Sequence, residues 1–420
     1  MTITRPRWIA AAIMVLLAVS TFLNYLDRQV LALLARPVQQ ALAMDDRGYA
    51  AVVTVFMAAY TLGNLSSGWL LDRLGAVRAM PFFVGAWSIA SCLSGLAHAS
   101  PQLAASRFFL GLFETGNFIA APVVVALFLP ARHKAMAIGV YTAAAMFGAA
   151  VSPPLVTAIY ASVGWRMAFV LLGTAGLAWV ALWWALPLRK VAPVDQETVS
   201  DASGSAKGLL ELSTWREVLA EPRVWAFGLG QMLSFPVWFF YLNWFPKYLT
   251  DERGLSLIEM GSRAWAVYLA AALGSLAAGP LIALLVRRGA TPIRSRLSVM
   301  GAVAVIAPLG VVNYFEPSIE ISIASAAVVA FLHLIWQVTI TSLPLEIFNP
   351  RRMGKVLAVI GVTSGTGGIV STWLIGSLVG RVTYRPMFVV MACAYVVALA
   401  VVLLLLARGR RVQARSLLSA

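Results

Sequence analysis

Four charged residues lie inside stretches that are otherwise apolar and long enough to cross a membrane. Asp27 and Arg28 are in the first of these stretches, and Arg107 and Glu114 are in the fourth. A charge near the centre of a membrane-spanning helix costs about 2.5–3.5 kcal/mol on insertion scales, and such charges usually mark substrate paths or proton relays. Two acids and two bases in this setting predict a carrier that binds an anion and a proton.

The arginines suit the anion, because a guanidinium pairs with a carboxylate through two parallel hydrogen bonds. Burial disfavours an ionised carboxylate and a nearby arginine favours it, so a substrate that occupies the arginine would favour protonation of the acid. We therefore expect Arg28 and Arg107 to bind the anion, and Asp27 and Glu114 to couple protons. A second interpretation stays open, in which Asp27–Arg107 and Arg28–Glu114 are static ion pairs that brace the fold.

Helix geometry predicts that these charges lie close together. Glu114 follows Arg107 by seven residues, which is nearly two turns, so both side chains project from one helix face about 10 Å apart. The first span runs in the opposite direction, which brings Asp27 and Arg28 to the depth of Arg107.

The composition is that of an integral membrane protein. Of 420 residues, 60% are hydrophobic and 12% are charged, whereas soluble domains carry about 25% charged residues. A span needs about 20 predominantly apolar residues. Twelve such stretches predict an all-α protein with twelve transmembrane helices in two pseudo-symmetric six-helix bundles: 9–34, 49–71, 79–98, 101–128, 136–160, 165–187, 223–248, 259–286, 297–315, 320–345, 353–380 and 384–407.

The net charge of +15 does not indicate a nucleic-acid-binding face, because the basic clusters are short and separated by membrane spans. Their placement follows the positive-inside rule and predicts a multi-pass protein with both termini in the cytoplasm. A cleaved signal peptide is disfavoured, since no small-residue cleavage site follows Arg5 and Arg7.

The chain divides into two halves. A polar interval over 188–222 separates six spans from six, and Phe128-Leu-Pro-Ala-Arg132 recurs at the matching place of the second half as Phe348-Asn-Pro-Arg-Arg352. Two repeated bundles with substrate held between them are a transporter plan. We predict an N-terminal bundle over 1–187, a cytoplasmic linker over 188–222, a C-terminal bundle over 223–408 and a cytoplasmic tail over 409–420.

The sequence lacks the residue patterns of other functional classes. No Gly-x4-Gly-Lys-Ser/Thr motif is present, which disfavours an ATP-driven pump. Two cysteines and three histidines without paired metal spacing leave nothing to build a membrane enzyme, so we expect no metal and no cofactor beyond the coupling proton. Cys92 and Cys393 are interpreted as buried thiols. A sensor that binds a ligand without moving it stays possible.

One loop carries a specific motif. Gly68-Trp-Leu-Leu-Asp72-Arg73-Leu-Gly75-Ala-Val-Arg78 resembles the Gly-x3-Asp-Arg-x-Gly-x2-Arg loop of the major facilitator superfamily. Its charged residues are expected to form, with Arg132, a latch that holds one conformational state. The second-half counterpart, which ends at Gly289, lacks the aspartate.

The resemblance narrows to the anion:cation symporter family. Asn24-Tyr-Leu-Asp27-Arg28, Arg107-Phe-Phe-Leu-Gly-Leu-Phe-Glu114 and the aromatic run from Pro236 to Leu249 are similar to that family, which includes bacterial hexuronate and galactonate carriers, sialin and the vesicular glutamate transporters. The resemblance implies proton-coupled uptake of a sugar acid, by a monomer in a bacterial inner membrane, with the roles already given to the four charges. Exchange or uniport of other mono- or dicarboxylates is the alternative.

Several other polar or aromatic residues are candidates for the substrate cavity. Thr142 to Ala145 stand where relatives carry Asn-Ser-Gly, which favours a less hydroxylated carboxylate than a sugar acid. His333 is either a proton relay or a neutral, hydrogen-bonded residue between helices. The full set of candidate contacts is Tyr60, Asn64, Asn117, Tyr241, Asn243, His333, Trp336, Gln337, Thr363 and Ser364.

Overall fold

The computed structural model describes residues 7–129, 131–187, 212–348, 350–379 and 383–418. Every regular element in these ranges is a helix, which confirms the predicted all-α class. The helices of the first half are Arg7–Leu33 (α1), Ala35–Ala41 (α2), Asp46–Leu74 (α3), Ala76–Gly95 (α4), Ser100–Glu114 (α5), Gly116–Phe128 (α6) and Ala131–Ala185 (α7).

The second half continues with Leu212–Ala220 (α8), Pro222–Phe239 (α9), Phe245–Asp251 (α10), Leu257–Arg287 (α11), Pro292–Ile306 (α12), Ile319–Ser342 (α13), Pro350–Val379 (α14) and Arg385–Leu418 (α15). A π-helical turn joins α9 to α10 over Phe240–Trp244. Two 3-10 segments, Ala307–Phe315 and Leu343–Glu346, follow α12 and α13.

The helix ends follow from local sequence. Asp45 caps α3 by accepting a hydrogen bond from the Gly48 amide, and Thr291 and Ser318 cap α12 and α13 in the same way. Gly75 separates α3 from α4 with φ of 71°, and Gly164 breaks α7 with φ of 82°. Both angles lie in the region that favours glycine.

Most of these helices are apolar enough to cross a membrane. Within the described ranges, nine segments meet the length and hydropathy expected of a span, and one of them, Gly139–Ala185, contains the break at Gly164 and so comprises two helices. The chain is a multi-pass membrane protein.

Contacts divide the chain into two compact units. The first comprises residues 1–204 and 246–265, and the second comprises 205–245 and 266–420. The boundaries predicted from the sequence remain predictions, and the predicted linker lies outside the described residues up to position 211. The segment 246–265 follows the π-helical turn in the chain and packs with the first unit.

Glycines bring the helices of the first unit together. A methyl group at Gly111 of α5 would lie 2.5 Å from the main-chain oxygen of Phe56 on α3. Gly63 of α3 lies equally close to the main chain of Leu112, so the two helices cross backbone to backbone. At Gly148 of α7, a methyl group would lie 2.7 Å from the Phe22 oxygen of α1. These crossings set the positions of the charged residues on α1 and α5.

Candidate functional site

Arg28 and Glu114 form an ion pair in the interior of the first unit. The Arg28 Nη2 atom lies 3.3 Å from Glu114 Oε2, and the Arg28 Nε–H donates to Oε1 over 3.4 Å. The Glu114 side chain is fully buried, whereas 19% of the Arg28 side chain is exposed. The arginine is therefore the more accessible member of the pair.

Two tyrosines surround the Arg28 guanidinium. Its carbon lies 4.7 Å from the centre of the Tyr60 ring and 5.3 Å from that of Tyr25. Aromatic faces attract a cation and keep the guanidinium plane in place. Tyr60, a predicted cavity contact, is half-buried beside the exposed part of Arg28. Tyr25 was not among the candidates, although it lies inside the motif Asn24 to Arg28.

Asp27 has different partners from its neighbour. Its carboxylate is fully buried, and Oδ1 accepts a hydrogen bond of 2.6 Å from the Ser91 hydroxyl of α4. Its second oxygen, Oδ2, is buried and has no hydrogen-bond partner in the described part of the chain. Consecutive residues of a helix point about 100° apart, so Asp27 faces α4 while Arg28 faces α5.

Arg107 contacts the backbone of α1. It donates from Nη1 to the Asp27 main-chain oxygen over 3.3 Å, and its guanidinium lies 5.1 Å from the centre of the Phe169 ring. The carboxylate of Asp27 and the guanidinium of Arg107 do not form the ion pair that the spacing suggested. Arg107 is 2% exposed, so Arg28 is the accessible cation of the two.

The polar residues near Glu114 form hydrogen bonds within the first unit. The Asn24 amide donates to the Glu114 main-chain oxygen over 3.2 Å. Asn117 is fully buried, accepts a hydrogen bond from Ser20, and donates to Thr21 and to the Tyr141 hydroxyl. This network binds α1, α6 and α7 together, which distinguishes Asn117 from the exposed Asn64, whose amide donates to the Tyr60 oxygen.

Ser91 is the residue that the sequence interpretation missed. It lies on α4 between Ser88 and Ser94, and the three buried serines recur every third residue in an apolar helix. A polar stripe at helical spacing inside a span is a detectable signal, but it does not show which hydroxyl meets an acid.

The second unit holds a separate buried cluster. The His333 Nδ1 atom lies 2.7 Å from the Tyr395 hydroxyl, and the Trp238 ring stacks on the imidazole at 5.4 Å and 8°. The indole of Trp336 donates to Ser234 over 3.0 Å. His333 is 2% exposed, and its contacts fit the interpretation as a hydrogen-bonded residue between α13 and α15.

The other candidates of the second unit lie on three elements. Tyr241 and Asn243 belong to the π-helical turn, where Tyr241 is buried and the Asn243 amide donates to the Phe239 oxygen. Gln337 carries a buried Oε1 without a hydrogen-bond partner among the described residues. Thr363 and Ser364 donate to main-chain oxygens of their own helix, α14.

The predicted latch is described only in part. Gly68 lies near the end of α3, Gly75 makes the turn to α4, and the exposed Arg78 follows in the first turn of α4. The Arg73 guanidinium lies 4.2 Å from the centre of the Trp69 ring. The side chains of Asp72 and Arg132 lie outside the described residues, so the latch stays a prediction.

The cysteines differ from expectation in one case. Cys92 is half-buried and its thiol lies 3.7 Å from the Val170 oxygen, whereas Cys393 is exposed on α15. The prediction of a buried Cys393 is wrong, because an apolar span has a lipid-facing side on which a thiol is tolerated. The residues that the structure describes contain no group of three or more His, Cys, Asp or Glu arranged to hold a metal.

A family model described as Major Facilitator Superfamily matches residues 17–372. The chain belongs to the major facilitator superfamily. It is therefore a transporter and not an enzyme, and the predicted resemblance is confirmed.

The D-galactonate transporter of Escherichia coli O6:H1 strain CFT073 is 26% identical over 93% of this chain and 94% of its own length. The hexuronate transporter of Escherichia coli K12 is 25% identical over 92% of this chain and 90% of its own length.

Solved structures of this superfamily share the fold. An inward-facing, unoccupied bacterial homologue of the human lysosomal transporter Spinster superposes with a TM-score of 0.72 at 18% identity, covering 96% of this chain and 97% of that one. A D-xylose–proton symporter gives 0.70 at 14% identity over 94% and 97%. The predicted major facilitator fold is thereby confirmed.

Proposed function

We propose that this transporter is a proton-coupled symporter of a small organic anion, with a sugar acid such as an aldonate or hexuronate as substrate. The observation that carries the proposal is the ion pair between a partly exposed arginine, Arg28, and a fully buried acid, Glu114. The relatives named for galactonate and hexuronate support the substrate class.

The geometry gives a mechanism of coupling. A substrate carboxylate that pairs with Arg28 competes with Glu114 for the same guanidinium. Glu114 then loses its cationic partner in a buried position, where the ionised form is disfavoured. A proton on Glu114 compensates, so substrate and proton bind together. Asp27 is the second proton site, and Arg107 contributes positive charge next to it.

The proposal includes the surroundings of the protein. The carrier acts as a monomer in a bacterial inner membrane, as the family resemblance implies. Both termini lie in the cytoplasm, as the placement of basic clusters predicts. It alternates between states that open to either side, with the loop from Gly68 to Arg78 as latch.

The test uses purified protein in liposomes with an imposed pH gradient and radiolabelled D-galactonate or D-glucuronate. Glu114→Gln should abolish uphill accumulation and retain counterflow, because the amide cannot release a proton but still fills the site. Glu316→Gln is the matched control, since Glu316 is exposed and paired with Arg385. Unchanged accumulation by Glu114→Gln would remove Glu114 from the coupling role.

A less hydroxylated carboxylate is a second candidate for the substrate. The side-chain amide of Asn117 is already hydrogen-bonded to residues of the first unit. Ala143 and Ala144 have no side-chain group that could donate a hydrogen bond to a substrate. A site with fewer free hydrogen-bonding side chains suits a substrate with fewer hydroxyl groups. A thermal-shift series of aldonates, uronates and simple monocarboxylates separates the two candidates, and uptake that requires a carboxylate on the opposite side of the membrane and does not respond to a pH gradient identifies an exchanger.

A further inference from the structure

The Ser91 hydroxyl lies between two acceptors. Its oxygen is 2.6 Å from Asp27 Oδ1 and 3.3 Å from the main-chain oxygen of Phe169 on α7. A hydroxyl has one proton to donate and two lone pairs to accept with. Ser91 is fully buried, and with one proton it donates to one of these two oxygens at a time.

We propose that Ser91 is a positioning residue for the protonation of Asp27, an inference that rests on the proposed proton coupling. When Asp27 is ionised, the Ser91 hydroxyl donates to Oδ1. When Asp27 takes up a proton, its O–H donates to Ser91 Oγ, and the serine proton turns to the Phe169 oxygen. One proton enters Asp27, and the hydrogen bond between Asp27 Oδ1 and Ser91 Oγ is kept in both states with its direction reversed.

The packing of α4 on α7 keeps these distances fixed. Gly173 and Gly176 of α7 lie against Ser88 of α4, and a methyl group at Gly173 would lie 2.5 Å from the Ser88 oxygen. Gly95, one turn beyond Ser91, lies equally close to the Arg166 main chain. Because the backbones touch on both sides of Ser91, its hydroxyl can rotate but its Cα cannot move away.

The hydrogen-bond relay formed by Asp27, Ser91 and Phe169 also connects to Arg107. Phe169 offers its main-chain oxygen to Ser91 and its ring to the Arg107 guanidinium, which in turn donates to the Asp27 main chain. The protonation state of Asp27 therefore decides how many hydrogen bonds reach Phe169, the residue on which Arg107 rests.

Other charged and titratable groups also face Asp27. Arg107 and Glu114 on α5 and the Cys92 thiol on α4 interact electrostatically with Asp27, and Arg28 is the next residue of α1 but points towards α5. A change confined to Ser91 leaves all of them in place. The response to such a change then reports the hydroxyl alone.

The experiment compares Ser91→Ala with Ser91→Thr and Ser94→Ala. Loss of a donor to the ionised carboxylate favours the protonated form, so Ser91→Ala should move the midpoint of the pH profile of uptake upward by about one pH unit. Ser91→Thr keeps the hydroxyl and should restore the profile. Ser94→Ala removes a hydroxyl that bonds to Ser106 and not to Asp27, and should leave the midpoint unchanged.

The outcomes separate this inference from the function on which it rests. Asp27→Asn should abolish proton-driven accumulation. If it does and the Ser91→Ala midpoint equals that of Ser94→Ala, the relay is refuted while proton coupling through Asp27 stands. If Asp27→Asn accumulates substrate normally, Asp27 has no coupling role and the relay falls with it. Should Ser91→Ala fail to fold, Ser91→Cys replaces it as the variant of similar volume, and the same midpoints decide.

Discussion

Asp27 and Arg28 are consecutive residues of α1 with carboxylate and guanidinium directed at different helices. Asp27 accepts a hydrogen bond from Ser91 on α4, and Arg28 pairs with Glu114 on α5. The two sites are chemically distinct, since one carries a neutral donor and the other a cation. The proposed proton site at Asp27 and the proposed anion site at Arg28 are thus adjacent along the chain but have different partners.

Arg28→Lys tests the geometry of anion recognition. Lysine keeps the positive charge but not the planar pair of donors, so affinity for a carboxylate should fall by about tenfold, equivalent to roughly 1.4 kcal/mol. Titration calorimetry or a thermal-shift series with D-galactonate measures the change. Arg385→Lys is the control at an exposed arginine. Equal affinities for Arg28→Lys and the parent protein would place the anion elsewhere.

The effects of substitutions at Arg28 and Glu114 on the free energy of unfolding should be strongly non-additive. Arg28→Met leaves a buried carboxylate unpaired, and we expect the free energy of unfolding to fall by about 2 kcal/mol, below the 3–5 kcal/mol of a fully buried pair because Arg28 is partly exposed. Adding Glu114→Leu should recover most of this loss. Thermal unfolding in detergent gives the comparison, and a double variant no more stable than Arg28→Met would contradict it.

Gly111→Ala should disturb the crossing of α3 and α5. The added methyl group would lie 2.5 Å from the Phe56 oxygen, and overpacking of this kind costs about 1–3 kcal/mol. Gly139→Ala is the matched helical control, because no atom of the described residues outside its own helix backbone lies within 4 Å of the added methyl group. The control should be neutral or slightly stabilising. Similar melting temperatures for both variants would show that the helices can separate without cost.

Lys247 should stabilise the first unit through two carboxylates. Its ammonium lies 2.8 Å from Asp46 Oδ1 and also contacts Asp251, and only 5% of its side chain is exposed. Lys247→Met should lower the free energy of unfolding by about 1–3 kcal/mol, since it leaves two acids facing each other. Arg385→Met breaks an exposed pair instead and should cost at most about 1 kcal/mol. Thermal unfolding of the two variants side by side decides the point.

The fold could be predicted because apolar length alone defines a membrane span. The four charged residues stand out in the sequence because charge is rare inside spans, and their roles stay predictions. Of the two ion pairs that the static interpretation names, Arg28–Glu114 is present and Asp27–Arg107 is not found among the described residues. The partner of Asp27 could not be predicted in the same way. Its direction depends on the rotation of α1 about its axis, and the Phe22–Gly148 contact sets this rotation.

The π-helical turn over Phe240–Trp244 and the placement of residues 246–265 with the first unit were also not predictable. Period analysis assumes an uninterrupted helix of 3.6 residues per turn. A single widened turn shifts the face of every later residue, so Tyr241 and Asn243 could be named as candidates but not oriented.

The paired glycines at Gly63 and Gly111 have a mechanical consequence. No side chain separates the two backbones there. We therefore expect α3 and α5 to move together as one rigid pair. Tyr60 lies on α3, which ends next to Gly75, and Arg107 and Glu114 lie on α5. A displacement of Glu114 on α5 would then move α3 and the loop at Gly75 through the two backbones, with no change of side-chain rotamer between them.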